Sequence, residues 1–222
     1  MAAENEKSAL PTETERTPLY TLGRGVAAVI THVLFPVRYH GVEALDRDAP
    51  YILISNHLSL LDPFAVAQPC KKYEIRFLGK KEITKNKLLG SLVKKIHMIP
   101  VDRHHSDLSA MRQCLKALKE GKVLGIFPEG TRHHEYLMTP IESGTAMLAL
   151  RSGAPLIPIY LDKKLRLFRR VNAYVGKPIE TGAFLSQGFD SAQVEALTAH
   201  IRDTFFRLRE NAGPGPAVST SK

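Results

Sequence analysis

Tyr51-Ile52-Leu53-Ile54-Ser55 is too short for a helix and apolar on both faces, the pattern of a strand covered from both sides. Such a strand needs helices above and below it, and the rest of the chain offers them. Short apolar runs at Glu74–Leu78, Ile96–Val101, Lys122–Phe127, Pro155–Leu161 and Val171–Val175 read as further strands. Between them lie helical stripes: Lys85–Ile96, Asp107–Glu120 with Leu108, Met111, Leu115 and Leu118 inward, and Thr145–Ser152. A last helix runs over about 191–210, with Val194, Leu197, Ile201, Phe205 and Leu208 inward. Ser106 can cap the helix at 107, and Asp62 and Pro63 supply the N-cap and first position of a helix starting at Phe64. Strands alternating with helices predict an α/β fold: a mixed, mainly parallel central sheet flanked by helices.

At 222 residues the chain suits one compact domain, expected over 41–210. Polar ends, residues 1–17 and 211–222, are predicted to be disordered. Glu4, Glu6, Glu13 and Glu15 occupy the place where a signal peptide would be basic, so no secretory leader is expected. Gly25–Val37 is apolar but shorter than the roughly 20 residues of a spanning helix. It suits a core helix or one lying in a membrane interface. Cys70 and Cys114 are too few for a disulfide framework and read as buried small hydrophobes in a reducing compartment.

The net charge is +9, and residues 71–122 alone hold 14 Lys or Arg against 5 Asp or Glu. Residues 163–170 add five bases without an acid. A basic face of this kind fits nucleic acid, anionic lipid or a phosphorylated ligand, or is simply a solvated surface. Residues 79–122 contain no aromatic residue, so the stacking platforms of a single-strand binder are missing.

His57 follows the 51–55 strand directly, and in an open α/β sheet ligands bind beyond the carboxyl ends of strands. Asp62 lies five residues on, which a continuous helix would rotate about 140° away. The Asp62-Pro63 helix start supplies the turn that brings the carboxylate back. Bonded to Nδ1, it would fix the imidazole tautomer and leave Nε2 to take a proton from a hydroxyl. The same spacing also fits a plain helix cap and a loop histidine. Phe127-Pro128-Glu129-Gly130-Thr131-Arg132 follows a second strand. There Gly130 permits close backbone approach, successive N–H groups can cradle an anion, and Arg132 can fork onto a phosphate. Ile99-Pro100-Val101-Asp102-Arg103 delivers another arginine, and Ala154-Pro155-Leu156-Ile157-Pro158-Ile159 can wall an apolar channel. The pairs His104-His105 and His133-His134 point apart on any regular element, so no metal site is expected.

In this order, the four pieces resemble the motif blocks of the lysophospholipid acyltransferase family, from about Val37 to Pro178. The resemblance implies a glycerolipid acyltransferase-like fold and an N-terminal membrane-associated helical segment over 18–40. It implies transfer of a fatty acyl group from an acyl thioester to the free hydroxyl of a lysophospholipid, foremost 1-acyl-glycerol-3-phosphate to phosphatidic acid. His57 would be the general base and Asp62 its orienting partner. Lys80, Arg103, Glu129, Gly130, Thr131 and Arg132 would hold the glycerol-phosphate end, and Pro155 and Pro158 would shape the acyl channel. No cofactor and no metal are implied, only acyl-CoA or acyl carrier protein as co-substrate. Two positions depart from the family pattern: His97 stands where a glycine is usual, and Ser143 where many members carry a lysine.

The implied partners are a lysophospholipid, the acyl donor and an anionic membrane surface, not nucleic acid. The implied place is peripheral or monotopic on the cytoplasmic face of the cell membrane. The basic helix Lys85–Ile96 then has two readings, core packing or an interfacial helix whose Lys85, Lys87, Lys94 and Lys95 face lipid. Rival functions are an acyltransferase for another acceptor, such as glycerol-3-phosphate, and a non-catalytic binder of anionic lipid or nucleic acid.

Overall fold

A computed structural model of the chain describes residues 33–85, 97–102, 107–132, 140–185 and 190–213, with Leu22, Gly25 and Val29. Its strands are β1 (Val37–His40), β2 (Tyr51–Ser55), β3 (Ile75–Lys80), β4 (Ile99–Val101), β5 (Val123–Ile126), β6 (Leu156–Leu161) and β7 (Val171–Val175). They form one sheet in the order β1-β7-β6-β2-β5-β3-β4, with β2 in the middle. β2 to β6 run parallel; β7 turns back antiparallel to β6, and β1 runs alongside β7. The expected mixed, mainly parallel sheet is therefore what forms.

The helices are α1 (Asp62–Ala67), α2 (Leu108–Lys119), α3 (Ser143–Ser152), α4 (Gly182–Leu185) and α5 (Ser191–Asn211). Successive side chains of a strand point to opposite faces, so β2 feeds two cores. Ile52 and Ile54 join Leu124, Ile126 and Leu156 beneath α2, α3 and α5. Tyr51 and Leu53 join Val123, Ile157 and Ile159 against Ala65 and Val66 of α1. Every β2 residue is buried, which is why its sequence shows no alternation. Among the described residues no helix is long and apolar enough to cross a membrane.

Several boundaries differ from the expectations. Val37–His40 is a strand paired with β7, so the helical segment expected over 18–40 ends earlier; Leu22, Gly25, Val29 and Val33 are helical. α1 begins at Asp62, which is its first residue and not its cap. The cap of α2 is Asp107 rather than Ser106: its side chain accepts from the Ala110 amide at 2.9 Å and from the Asp102 amide at 2.9 Å, tying β4 to the helix. Those backbone hydrogen bonds hold the Asp107 carboxyl below its usual range. α2 buries Ala110, Cys114, Ala117 and Leu118, whereas Leu108 points to solvent. Both cysteines are buried and unlinked. Residues 86–96, with the basic helix expected there, lie outside the described residues, as do 1–21 and 214–222.

Candidate active site

The loop between β2 and α1 is held from three sides. Asn56, fully buried, clamps the end of β6: its amide nitrogen donates to the Leu161 carbonyl at 3.0 Å and its oxygen accepts the Leu161 amide at 2.9 Å. Next in the chain, His57 places Nδ1 3.0 Å from Asp62 Oδ2. That same oxygen accepts the Leu58 and Ser59 amides, each at 2.6 Å. An oxygen taking three hydrogen bonds is acting as acceptor to all three, so Nδ1 carries the proton and Nε2 holds the lone pair. Asp62 is fully buried at the start of α1, where its helix N-terminus favours negative charge. The turn through residues 58–61 thus does what a continuous helix could not.

The third side comes from the loop after β5. The His57 amide donates to Glu129 Oε2 at 2.8 Å across 72 residues of sequence. Glu129 is buried, and its Oε1 has no hydrogen-bond partner among the described residues. Burial, with a smaller push from the Asp62 charge, raises the Glu129 carboxyl to about 8 against the pull of the His57 amide. The imidazole itself lies on Phe127, ring centroids 4.2 Å apart and planes 23° off parallel. Phe127 in turn stacks on Phe77 of β3 at 6.0 Å. Gly125 makes room for that layer, since a Cβ there would run into the Phe77 ring.

The remaining expected site residues divide. Lys80 ends β3 three residues beyond Phe77, which pairs with Gly125, so it stands level with Pro128 at the carboxyl edge; its Nζ is 3.7 Å from Glu82. Thr131 and Arg132 are exposed at the same edge. Gly130 turns the chain at φ 67°, a conformation suited to glycine, and donates its N–H to the Phe127 carbonyl at 3.0 Å. That amide is spent on the turn. Glu129 faces inward, its Oε2 on the His57 backbone amide. Pro158 is buried in the middle of β6. Pro155 lies elsewhere: its carbonyl accepts the Ile52 amide at 2.9 Å, at the opposite end of β2 from His57. Arg103 lies outside the described residues. His97, in the place of a usual glycine, adopts φ 52° and is anchored by Nδ1 at 2.9 Å from the buried Glu74. Ser143 is exposed at the first turn of α3.

Sequence reasoning assigns no role to Asn56, Phe127, Phe77 or Gly125. Asn56 sits beside His57 and was visible as an unusual amide after an apolar strand. The aromatic layer under the imidazole had no local signal.

Known proteins resemble this chain in sequence and in fold. A family model described as Acyltransferase matches residues 36–162. The chain is 30% identical over 193 residues to the 1-acyl-sn-glycerol-3-phosphate acyltransferase of Bacillus subtilis (strain 168), covering 83% of this chain and 96% of that one. It is 26% identical to the protein of the same name from Streptococcus pneumoniae (strain ATCC BAA-255 / R6), covering 86% of this chain and 73% of that one. In fold it is similar to the crystal structure of the 1-acyl-sn-glycerophosphate (LPA) acyltransferase PlsC from Thermotoga maritima, with a TM-score of 0.61 at 22% identity over 80% of this chain and 73% of the other.

Proposed function

This chain belongs to the acyltransferase family, and on that footing we propose that it moves a fatty acyl group from an acyl thioester to the free hydroxyl of 1-acyl-glycerol-3-phosphate, making phosphatidic acid. The relatives' activity supports the acceptor, and the His57–Asp62 pair at 3.0 Å supports the chemistry. Nε2 of His57 takes the proton of the hydroxyl as its oxygen bonds to the thioester carbonyl carbon. The resulting tetrahedral intermediate collapses by breaking the C–S bond. The departing sulfur takes the proton back from the imidazolium, so His57 ends as it began. Asp62 holds the ring in the competent tautomer and offsets the positive charge it acquires. No covalent acyl-enzyme is needed. The neighbouring Ser59 Oγ accepts the Leu61 amide at 3.2 Å.

Lys80, Thr131 and Arg132, with Arg103, form the group we assign to the acceptor phosphate. Cations that border one end of the sheet suit a dianion there. The co-substrate is acyl-CoA or acyl carrier protein, and the working place is the cytoplasmic face of the cell membrane, where the lysolipid resides. Incubating the purified protein with a panel of lysolipids and glycerol-3-phosphate, each with both donor types, and weighing the products tests the reading. Phosphatidic acid from lysophosphatidic acid is the expected product. Acylation of only another acceptor, or of none, overturns it.

A further inference from the structure

Leu167 and Phe168 form the tip of the turn between β6 and β7, exposed at 56% and 68%. Arg166 and Arg169 close that turn as an isolated antiparallel bridge, the Arg169 amide donating to the Arg166 carbonyl at 3.1 Å. Phe168 is held at φ 55°, a conformation a bulky side chain adopts only when its surroundings impose it. Its amide donates to the Leu34 carbonyl at 2.6 Å. The fold therefore spends backbone strain on keeping a large aromatic side chain in solvent.

The position of the turn carries as much as its composition. It leaves the carboxyl end of β6, whose last residue, Leu161, is clamped to Asn56 beside His57. Leu60 and Phe64, in the loop and helix that follow His57, are also exposed, at 67% and 46%. Leu22, Val29 and Val33 are each helical and exposed, Val33 next to Leu34 in the chain. Lys164, Arg166, Arg169 and Arg170 flank the tip in sequence and are exposed, while Lys163 pairs with Asp162 at 3.6 Å.

We propose that the Leu167–Phe168 turn is a wedge that enters an anionic lipid bilayer, its flanking arginines on headgroup phosphates, and so turns the His57 end of the sheet toward the membrane. The proposal rests on the reading that the acceptor is a membrane lipid. Apolar tips ringed by cations match an anionic interface in both halves of their chemistry. A convex tip needs no matching pocket in a fluid bilayer, whereas a folded acidic protein, the acyl carrier protein included, would have to supply one.

The chain has no tryptophan, so Phe168→Trp introduces a single reporter at the tip. With vesicles of phosphatidylcholine mixed with phosphatidylglycerol, its emission shifts to the blue and is quenched by brominated acyl chains; pure phosphatidylcholine gives a weaker response. Leu167→Ser with Phe168→Ser lowers vesicle affinity about 10-fold or more, and Arg166→Gln with Arg169→Gln lowers its salt dependence. Both double variants keep the turnover of a short-chain, monomeric lysophosphatidate, which also reports that they fold. The wedge is overturned if the protein does not bind the mixed vesicles, if it binds with the tryptophan emission unchanged, or if the double serine variant binds undiminished. It is equally overturned if that variant loses turnover with acyl carrier protein on the monomeric acceptor while still binding vesicles, because the turn is then a donor dock. Absence of any turnover by the unaltered protein on the monomeric acceptor sinks the acyltransferase reading instead and leaves the vesicle result standing.

Discussion

The His57 amide and the Glu129 carboxyl group, 2.8 Å apart, join the loops that follow two adjacent parallel strands. Through this bond the residue expected to supply the base and the residue expected to hold the substrate become parts of one rigid end of the sheet. Asp62 fixes the ring from below, Phe127 from one face, and Glu129 fixes the backbone that carries it.

Glu129 gives this arrangement a pH signature. Its carboxyl is raised by burial to about 8, above the 4.5 it would have in an unfolded chain. The folded state therefore binds more protons between those values, and stability from this group falls as pH rises through that window, by up to about 1.4 kcal/mol per unit. Denaturant unfolding from pH 5 to 8 checks this: Glu129→Gln, which cannot ionise, flattens the decline. An unaltered slope in the variant counts against a proton on Glu129.

Asp62→Asn replaces an oxygen that takes three hydrogen bonds. An amide nitrogen facing the Leu58 and Ser59 donors leaves them unpaired, and an amide oxygen facing them loses the charge that favours the imidazolium. Turnover falls at least ~10²-fold, and stability drops by roughly 1–3 kcal/mol. Thermal unfolding and single-turnover rates read the two effects separately.

Gly125→Ala tests the aromatic floor. The added methyl displaces Phe77, hence Phe127, hence the ring of His57, and overpacking of this kind costs about 1–3 kcal/mol. Combining it with Phe77→Leu gives the methyl room and restores part of the lost kcat. A double variant no better than Gly125→Ala alone would show that the displacement does not travel through Phe77.

For the phosphate, Arg132→Gln raises KM for lysophosphatidate by ~10-fold or more and leaves KM for the acyl donor nearly unchanged, as expected when a charge-assisted bond to the acceptor alone is lost. Lys80→Gln acts in the same direction. Equal effects on both substrates contradict the assignment.

What could be seen in the sequence was what burial on both faces writes into it. β2 and β7 appear as Tyr51–Ser55 and Val171–Val175 because neither sheet face of β2 meets water and β7 alternates cleanly. β1, at the sheet edge with Arg38 and His40 among four residues, carries no such run and was absorbed into the preceding segment. The His57–Asp62 pair was legible because five residues and a proline confine it. The Glu129–His57 bond was not, since nothing local couples residues 72 apart. Pro155 and Pro158 look alike in an apolar run, and only the direction of β6 beside β2 reveals that Pro155 lies at the far end.

The most direct measurement is the turnover of 1-acyl-glycerol-3-phosphate by His57→Ala against the unaltered protein, with circular dichroism and unfolding midpoint recorded on both. A fold retained with turnover reduced by at least ~10²-fold is the expected outcome for a lost general base. A folded variant that acylates at a near-normal rate would contradict the central claim, because the proton would then be leaving by another route.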